Sequence, residues 1–156
     1  MNREILFKAK RKDNGEWVEG YYIYHIKRTI CPFGDSVKPE DEQHVIMQDG
    51  FSDWNMPRDT VVYEIDPDTL CQYTGLTDKN GNEIWENDII SIAAYSYDEP
   101  EDDYFGIVTY CEKDACWSLN NNEKYGEIIC ECFGSYTTEI INHGNIFDNP
   151  ELLEVE

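Results

Sequence analysis

Short runs in which Val, Ile, Tyr, Trp and Phe alternate with polar residues, punctuated by Gly, Pro, Asn and Asp, dominate the chain. Long amphipathic-helix periodicity is absent. This pattern predicts strands joined by turns. Residues 4–10 read as a first strand and 15–26, through Trp17, Val18, Tyr21, Tyr22, Ile23 and Tyr24, as its hairpin partner. Asp13-Asn14-Gly15 between them has the dipeptide that tight hairpin turns favour. Residues 31–43 form a loop, His44–Gln48 a strand stopped by Asp49-Gly50, and a Trp54- and Pro57-containing connection leads to a strand over 60–65. Asp66 followed by Pro67 predicts one turn of helix over 66–70. Thr74-Gly75-Leu76 then leads into a turn at Asp78-Lys79-Asn80-Gly81-Asn82, the segment Glu83–Asp88 and an apolar strand, Ile89–Ile92. An acidic loop at 98–103 precedes a strand from Tyr104, followed by Trp117-Ser118-Leu119, a strand over 128–133 and a helical turn near 135–141.

The fold class expected is mostly β, with α+β as the variant the helical turns admit: small antiparallel sheets and minor one-turn helices. The strand order of the second half looks like the meander of an SH3-like barrel, an analogy of pattern that does not fix function. The expected division is an N-terminal β-hairpin subdomain over 1–60 and an SH3-like barrel-type subdomain over 61–156, with one compact unit as the alternative. A chain of 156 residues is long enough to bury a core without disulfides or a structural metal.

Charge changes the picture most. The chain has 33 Asp and Glu against 12 Lys and Arg, a net of -21. Such a surface repels nucleic acid and anionic lipid and attracts basic proteins and divalent cations. Disorder is excluded by 40% hydrophobic and 13% aromatic content. Residues 1–28 carry seven basic against four acidic side chains, a balance of +3, which leaves -24 for the remainder. The basic cluster Lys8, Lys10, Arg11 and Lys12 runs into the Asn14-Gly15 turn, so it decorates the tip and edge of a hairpin, where Lys also discourages edge pairing. Nucleic acid and membrane are therefore not expected as direct partners. Met1-Asn2-Arg3-Glu4 does not open a secretory signal and no stretch approaches a membrane span, so the expected compartment is the cytoplasm.

Candidate chemistry is sparse. Six cysteines stand at 31, 71, 111, 116, 130 and 132; an even count invites a disulfide framework, but a chain of this length without a signal peptide favours thiols. The spacings depart from zinc knuckles and ribbons, leaving zinc and redox chemistry as minor alternatives. Asp78, Asn80, Asn82 and Glu83 superficially match a calcium loop, yet Gly81 is in the fourth position where an EF-hand requires glycine at the sixth. Hairpin-turn chemistry accounts for them better. His25, His44 and His143 fall in no nucleophile or metalloprotease context, and no glycine-rich phosphate loop occurs. No catalytic residue, cofactor or metal ligand is assigned. The residues singled out for interaction are Asp98, Glu99, Glu101, Asp102 and Asp103, whose consecutive run suits a solvated acidic surface better than a metal site.

Three stretches resemble one family. The run from Gln72 through Thr74-Gly75-Leu76-Thr77-Asp78-Lys79-Asn80-Gly81-Asn82-Glu83-Ile84-Trp85-Glu86-Asn87-Asp88 to Ile90 is similar to the central signature of YopX proteins. Arg3–Ala9 with Trp17-Val18-Glu19-Gly20-Tyr21 looks like their N-terminal hairpin, and Gly144–Leu153 like their C-terminal segment. Acidic insertions near 35–43 and 96–103 are individual to this chain. The resemblance implies a small phage- or prophage-encoded protein of the bacterial cytoplasm, without an assigned reaction or catalytic residues.

Two function classes follow, with a third behind them. The preferred one is a non-enzymatic acidic interaction module that docks a basic host or phage protein, mimicry of a nucleic-acid backbone being one version. The second is an enzyme with an unrecognised carboxylate or metal site, which needs a pocket holding a carboxylate of raised pKa or a metal ion. The third is a homo-oligomeric assembly factor whose contacts are made by aromatics such as Trp54, Trp85 or Tyr104.

Overall fold

The computed structural model describes residues 4–96, 99–113, 115–120 and 138–154. It divides into a first unit over 1–72 and a second over 73–156. Mostly antiparallel strand, with no helix beyond single 3-10 turns among the described residues, it has the mostly β class expected.

In the first unit the strands are β1 (Phe7–Lys10), β2 (Trp17–Ile26), β3 (Glu42–Asp49) and β4 (Thr60–Glu64), with 3-10 turns η1 (Pro39–Asp41) and η2 (Pro67–Thr69). They pair in the order β4-β3-β2-β1, and the opening residues of β5 (Cys71–Thr77) continue the order through Phe7↔Gln72 and Lys8↔Cys71. The long β2 serves two partners: Trp17–Gly20 pair with β1 and Tyr21–Ile26 with β3. Gly20 stands at the switch, where a Cβ would come within 2.3 Å of the Met47 carbonyl oxygen. Only glycine lets the two backbones approach there. Alternate positions face one side, so Ala9, Val18 and Ile46, with Ile65, form the core, and Phe7, Tyr22, Tyr63 and Leu70 pack on it.

The helical turn expected at 66–70 is η2, with Asp66 as its cap accepting from the Asp68 amide at 3.1 Å and Pro67 at its first position. Thr69 ties it to the sheet, its hydroxyl accepting from the Lys10 amide at 2.8 Å and donating to the Asp66 carbonyl at 2.8 Å. These contacts move the division from 60/61, where the sequence suggested it, to 72/73. β4 pairs with β3, Ile65 bridges Arg11 and sits in the core, and η2 is held by β1, so residues 61–72 belong to the first unit.

The second unit begins within β5 and contains β6 (Glu83–Trp85), β7 (Asp88–Ser96), β8 (Glu99–Cys111), β9 (Cys116–Asn120), β10 (Thr138–Asn145) and the 3-10 turn η3 (Pro150–Leu153). β5 and β6 form a hairpin, and a sheet of order β10-β7-β8-β9 carries the expected meander. Among the described residues its edges, β9 and β10, do not pair with each other, so the sheet is open and no closed barrel forms. Ile84, Ile90, Ile92, Val108, Trp117, Leu119 and Ile140 make its core, with Leu76 and Tyr104 packed against them.

Two local expectations are corrected. The acidic segment is not a loop beyond Asp98: Glu99–Asp103 open β8 and pair with β7, through Asp103↔Ala93, Asp102↔Ala94 and, past a bulge, Pro100↔Tyr95 and Glu99↔Ser96. Pairing that begins in the apolar stretch propagates into residues whose local propensity opposes it. The helical turn expected near 135–141 is instead the start of β10 from Thr138 onward, aligned on β7 through Thr138↔Ala94 and Ile140↔Ile92. Residues 135–137, and the strand expected over 128–133, lie outside the described residues. No helix among the described residues is long and apolar enough to cross a membrane.

Candidate functional site

The β3–β4 connection is the most unusual surface of the first unit. It is closed at its base by the Gly50 amide donating to the Asp59 carbonyl at 2.6 Å and by an Arg58–Asp49 ion pair at 3.0 Å. Within it the Met56 amide donates to the Asp53 carbonyl at 3.1 Å, and Asn55 takes the left-handed conformation at φ 62°. This turn puts Trp54 at its tip. Trp54 and Phe51 are each 93% exposed and Met56 63%. Where the connection meets the sheet, Tyr21, Met47 and Val62 oppose one another across β2, β3 and β4, a row of cross-strand neighbours on one face. Tyr21 and Val62 are exposed. Exposed apolar side chains thus recur along this connection and on the strands it joins, in a stretch that also carries Asp49, Asp53 and Asp59; Phe33, on the β2–β3 connection, is 91% exposed as well. Grouped exposed apolar residues rimmed by charge mark interaction surfaces, whereas scattered ones need no explanation.

Of the aromatics expected to form contacts, only Trp54 is so placed. Trp85 is 3% exposed and packs on Tyr73 with ring centroids 5.2 Å apart, and Tyr104 packs against the core of the second unit. Both spend their area on folding.

Glu99, Glu101, Asp102 and Asp103 lie on the opening backbone of β8, and Asp98 lies outside the described residues. The basic cluster sits at the β1–β2 hairpin, as expected. Lys8 and Lys10 stand 5.2 and 5.3 Å from the Trp17 ring centroid, and the Arg11 guanidinium lies 4.2 Å from that of Tyr63. Arg11 also pairs with Asp13, and Lys12 with Glu64 at 2.9 Å. These cations are engaged by aromatic faces and carboxylates of the same unit. Beside them is an open depression of about 310 Å³ lined by Arg11, Trp17, Val18, Glu19, Gln48 and Tyr63.

Four described carboxyls are shifted, all downward. Hydrogen bonds from Arg11, Arg28 and Lys12 hold Asp13, Asp35 and Glu64 below their ordinary values. Burial alone would raise Asp78, but donors on Asn82, Asn80 and Asn142 outweigh it and lower that carboxyl too. A general acid needs a raised pKa. Among the described residues no group of three or more His, Cys, Asp and Glu is arranged to hold a metal ion.

Asp78 and Asp88 instead build a buried junction. Asp78, 5% exposed, accepts from the amides of Asn80 and Asn82 at 2.8 Å each, from the Asn82 side chain at 3.0 Å and from the Asn142 amide at 3.4 Å. Asp88, 2% exposed, accepts from the Trp85 amide at 2.9 Å and from Asn142 Nδ2 at 2.7 Å. Asn142 therefore joins the 78–82 turn to the start of β7. The turn reading of Asp78–Asn82 stands, with a purpose that sequence spacing did not show. His143 lies in β10 at a bulge between Asn142 and Gly144, with Nε2 2.8 Å from the Ser91 hydroxyl.

Comparison with known proteins adds kinship. The family model described as YopX protein matches residues 6–154. Among solved structures, the crystal structure of protein EF1440 from Enterococcus faecalis is similar at 23% identity and a TM-score of 0.49, over 98% of this chain and 100% of that one. No curated protein matches.

Proposed function

The chain belongs to the YopX family, and we propose that it is a non-enzymatic interaction module that docks a basic host or phage protein through the β3–β4 connection. The exposure of Phe51 and Trp54, 93% each on a turn braced at its base, carries this reading. Large aromatics are the side chains that dominate binding energy when a partner encloses them. Charge selects the partner. Two copies of a chain carrying -21 repel each other, whereas a basic surface is drawn to Asp53 and Asp59 on the same connection as the aromatics. The acidic run Glu99–Asp103 belongs to the second unit and is a separate candidate contact by its charge alone.

The test is affinity capture from nuclease-treated bacterial lysate with the parent chain, an F51S/W54S variant, and a variant with Asp98, Glu99, Glu101, Asp102 and Asp103 changed to amides. A basic protein held by the parent should be lost at least about tenfold with F51S/W54S, as for hot-spot removal. The amide variant should weaken capture chiefly at low salt, as expected for charge steering. Undiminished capture by F51S/W54S would overturn the assignment of the surface. A homodimer dissociated by the same substitutions would replace the basic partner with a second copy.

A further inference from the structure

We propose that Cys111 and Cys116 form a reversible modification site, a thiol pair that small-molecule disulfides convert into a disulfide closing the β8–β9 hairpin. The two residues are register partners at the end of the β8–β9 ladder, and both are thiols of intermediate exposure. Directly opposed residues of an antiparallel pair have Cα atoms about 4.5 or 5.5 Å apart, and both spacings fall within the roughly 4.4–6.8 Å that a disulfide spans.

The ladder also fixes which side they occupy. Val108↔Leu119 and Tyr110↔Trp117 alternate with Thr109↔Ser118 and Cys111↔Cys116, and Val108, Leu119 and Trp117 belong to the core. The cysteines thus share the other face with Thr109 and Ser118, whose hydroxyls stand 3.4 Å apart across the same strands. A bond between them requires no repacking of the core. Cys71 makes the contrast: it is 0% exposed, its thiol donates to the Thr69 carbonyl at 3.4 Å, and a disulfide reagent cannot reach it.

The step balances as thiol–disulfide exchange. One cysteine thiolate attacks a sulfur of the reagent, giving a mixed disulfide and releasing one small thiol. The second cysteine then displaces the other small thiol. One S–S bond is broken and one formed, the cysteines are oxidised by two electrons, the reagent is reduced by two, and the two cysteine protons leave on the released thiols.

The full chain is treated with oxidised glutathione, natively and in urea, then alkylated, denatured and digested with trypsin. Cleavage after Lys79, Lys113 and Lys124 yields peptides 80–113 and 114–124, whose only cysteines are Cys111 and Cys116. Their linked form identifies this bond and no other. It should be the main native product, appear at least about tenfold faster natively than in urea because the fold holds the sulfurs together, revert with dithiothreitol and vanish in C116S. Glutathione adducts on both peptides without the link, equal rates in urea, or a bond from either peptide to residues 125–156 in its place would each overturn the assignment.

Discussion

Asp88→Ala should cost the second unit about 3–5 kcal/mol. One buried oxygen accepts from two donors, the Trp85 amide at 2.9 Å and Asn142 Nδ2 at 2.7 Å. Alanine removes this acceptor from both, and only half-buried Asn142 can turn toward water. Trp85 is itself buried, so its amide cannot turn to water, and each unsatisfied donor costs about 1–3 kcal/mol, toward the upper end where the lost acceptor was charged. Relief of the buried carboxylate's desolvation offsets part of this, which keeps the total below the sum of the extremes. Asp88→Asn retains one acceptor but adds donors to a site already supplied with them, so it should fall between parent and alanine. Hydrogen exchange of the 83–92 amides is the assay. A loss of 3 kcal/mol lowers their protection by about two orders of magnitude. A change below about fivefold, near 1 kcal/mol, would show that the junction does not hold β6 and β7 together.

Gly20→Ala should destabilise the first unit by about 1–3 kcal/mol in urea unfolding, because its Cβ would stand 2.3 Å from the Met47 carbonyl oxygen. Trp54→Ser should change stability by no more than about 0.5 kcal/mol, while Trp85→Ala should cost about 3–5 kcal/mol; calorimetry of the two variants separates an exposed tryptophan from a core one. Asp78 has a folded pKa below its ordinary value of 3.8, so its stabilising contribution is complete above that value and is lost as pH falls through the folded pKa. Acid titration of unfolding should show this loss in the parent and not in Asp78→Asn, and superimposable curves would refute it.

Most strands of the first unit were legible because alternation and turn dipeptides agree there. β1, β2, β3 and β4 all fall within a few residues of the segments expected, and η2 appears where Asp66-Pro67 placed it. Where local signals conflict with pairing, the sequence misleads. β5 does not read as a strand because Gly75, at φ 84°, and the register shift between Tyr73 and Leu76 break its alternation. The carboxylates of Glu99–Asp103 read as loop until β7 recruits their backbone. The exposed surface was half legible. Trp54 stands among the expected contact aromatics, but beside Trp85 and Tyr104, since composition does not distinguish a tryptophan on a turn from one on a strand. The turn chemistry of Asp53 and Asn55, set between Gly50 and Pro57, was the available signal.

The stretch that carries the family resemblance is largely occupied with folding. Thr74 donates to the Ile84 carbonyl at 2.7 Å, Asp78 closes its own turn, Ile84 and Ile90 fill the core, Trp85 packs on Tyr73, and Asp88 anchors Trp85 and Asn142. Side chains committed to such duties cannot also engage a partner without exposing what they bury. Kinship through this stretch therefore transmits architecture rather than a binding preference, because positions outside it can change without disturbing the junction. Phe51, Trp54 and Met56 lie on a connection closed by the Gly50–Asp59 hydrogen bond and the Arg58–Asp49 pair, and in the described structure they are exposed rather than part of the first unit's core. Substituting them should alter what the protein binds while leaving the first unit folded, and substituting Asp88 should do the reverse to the second.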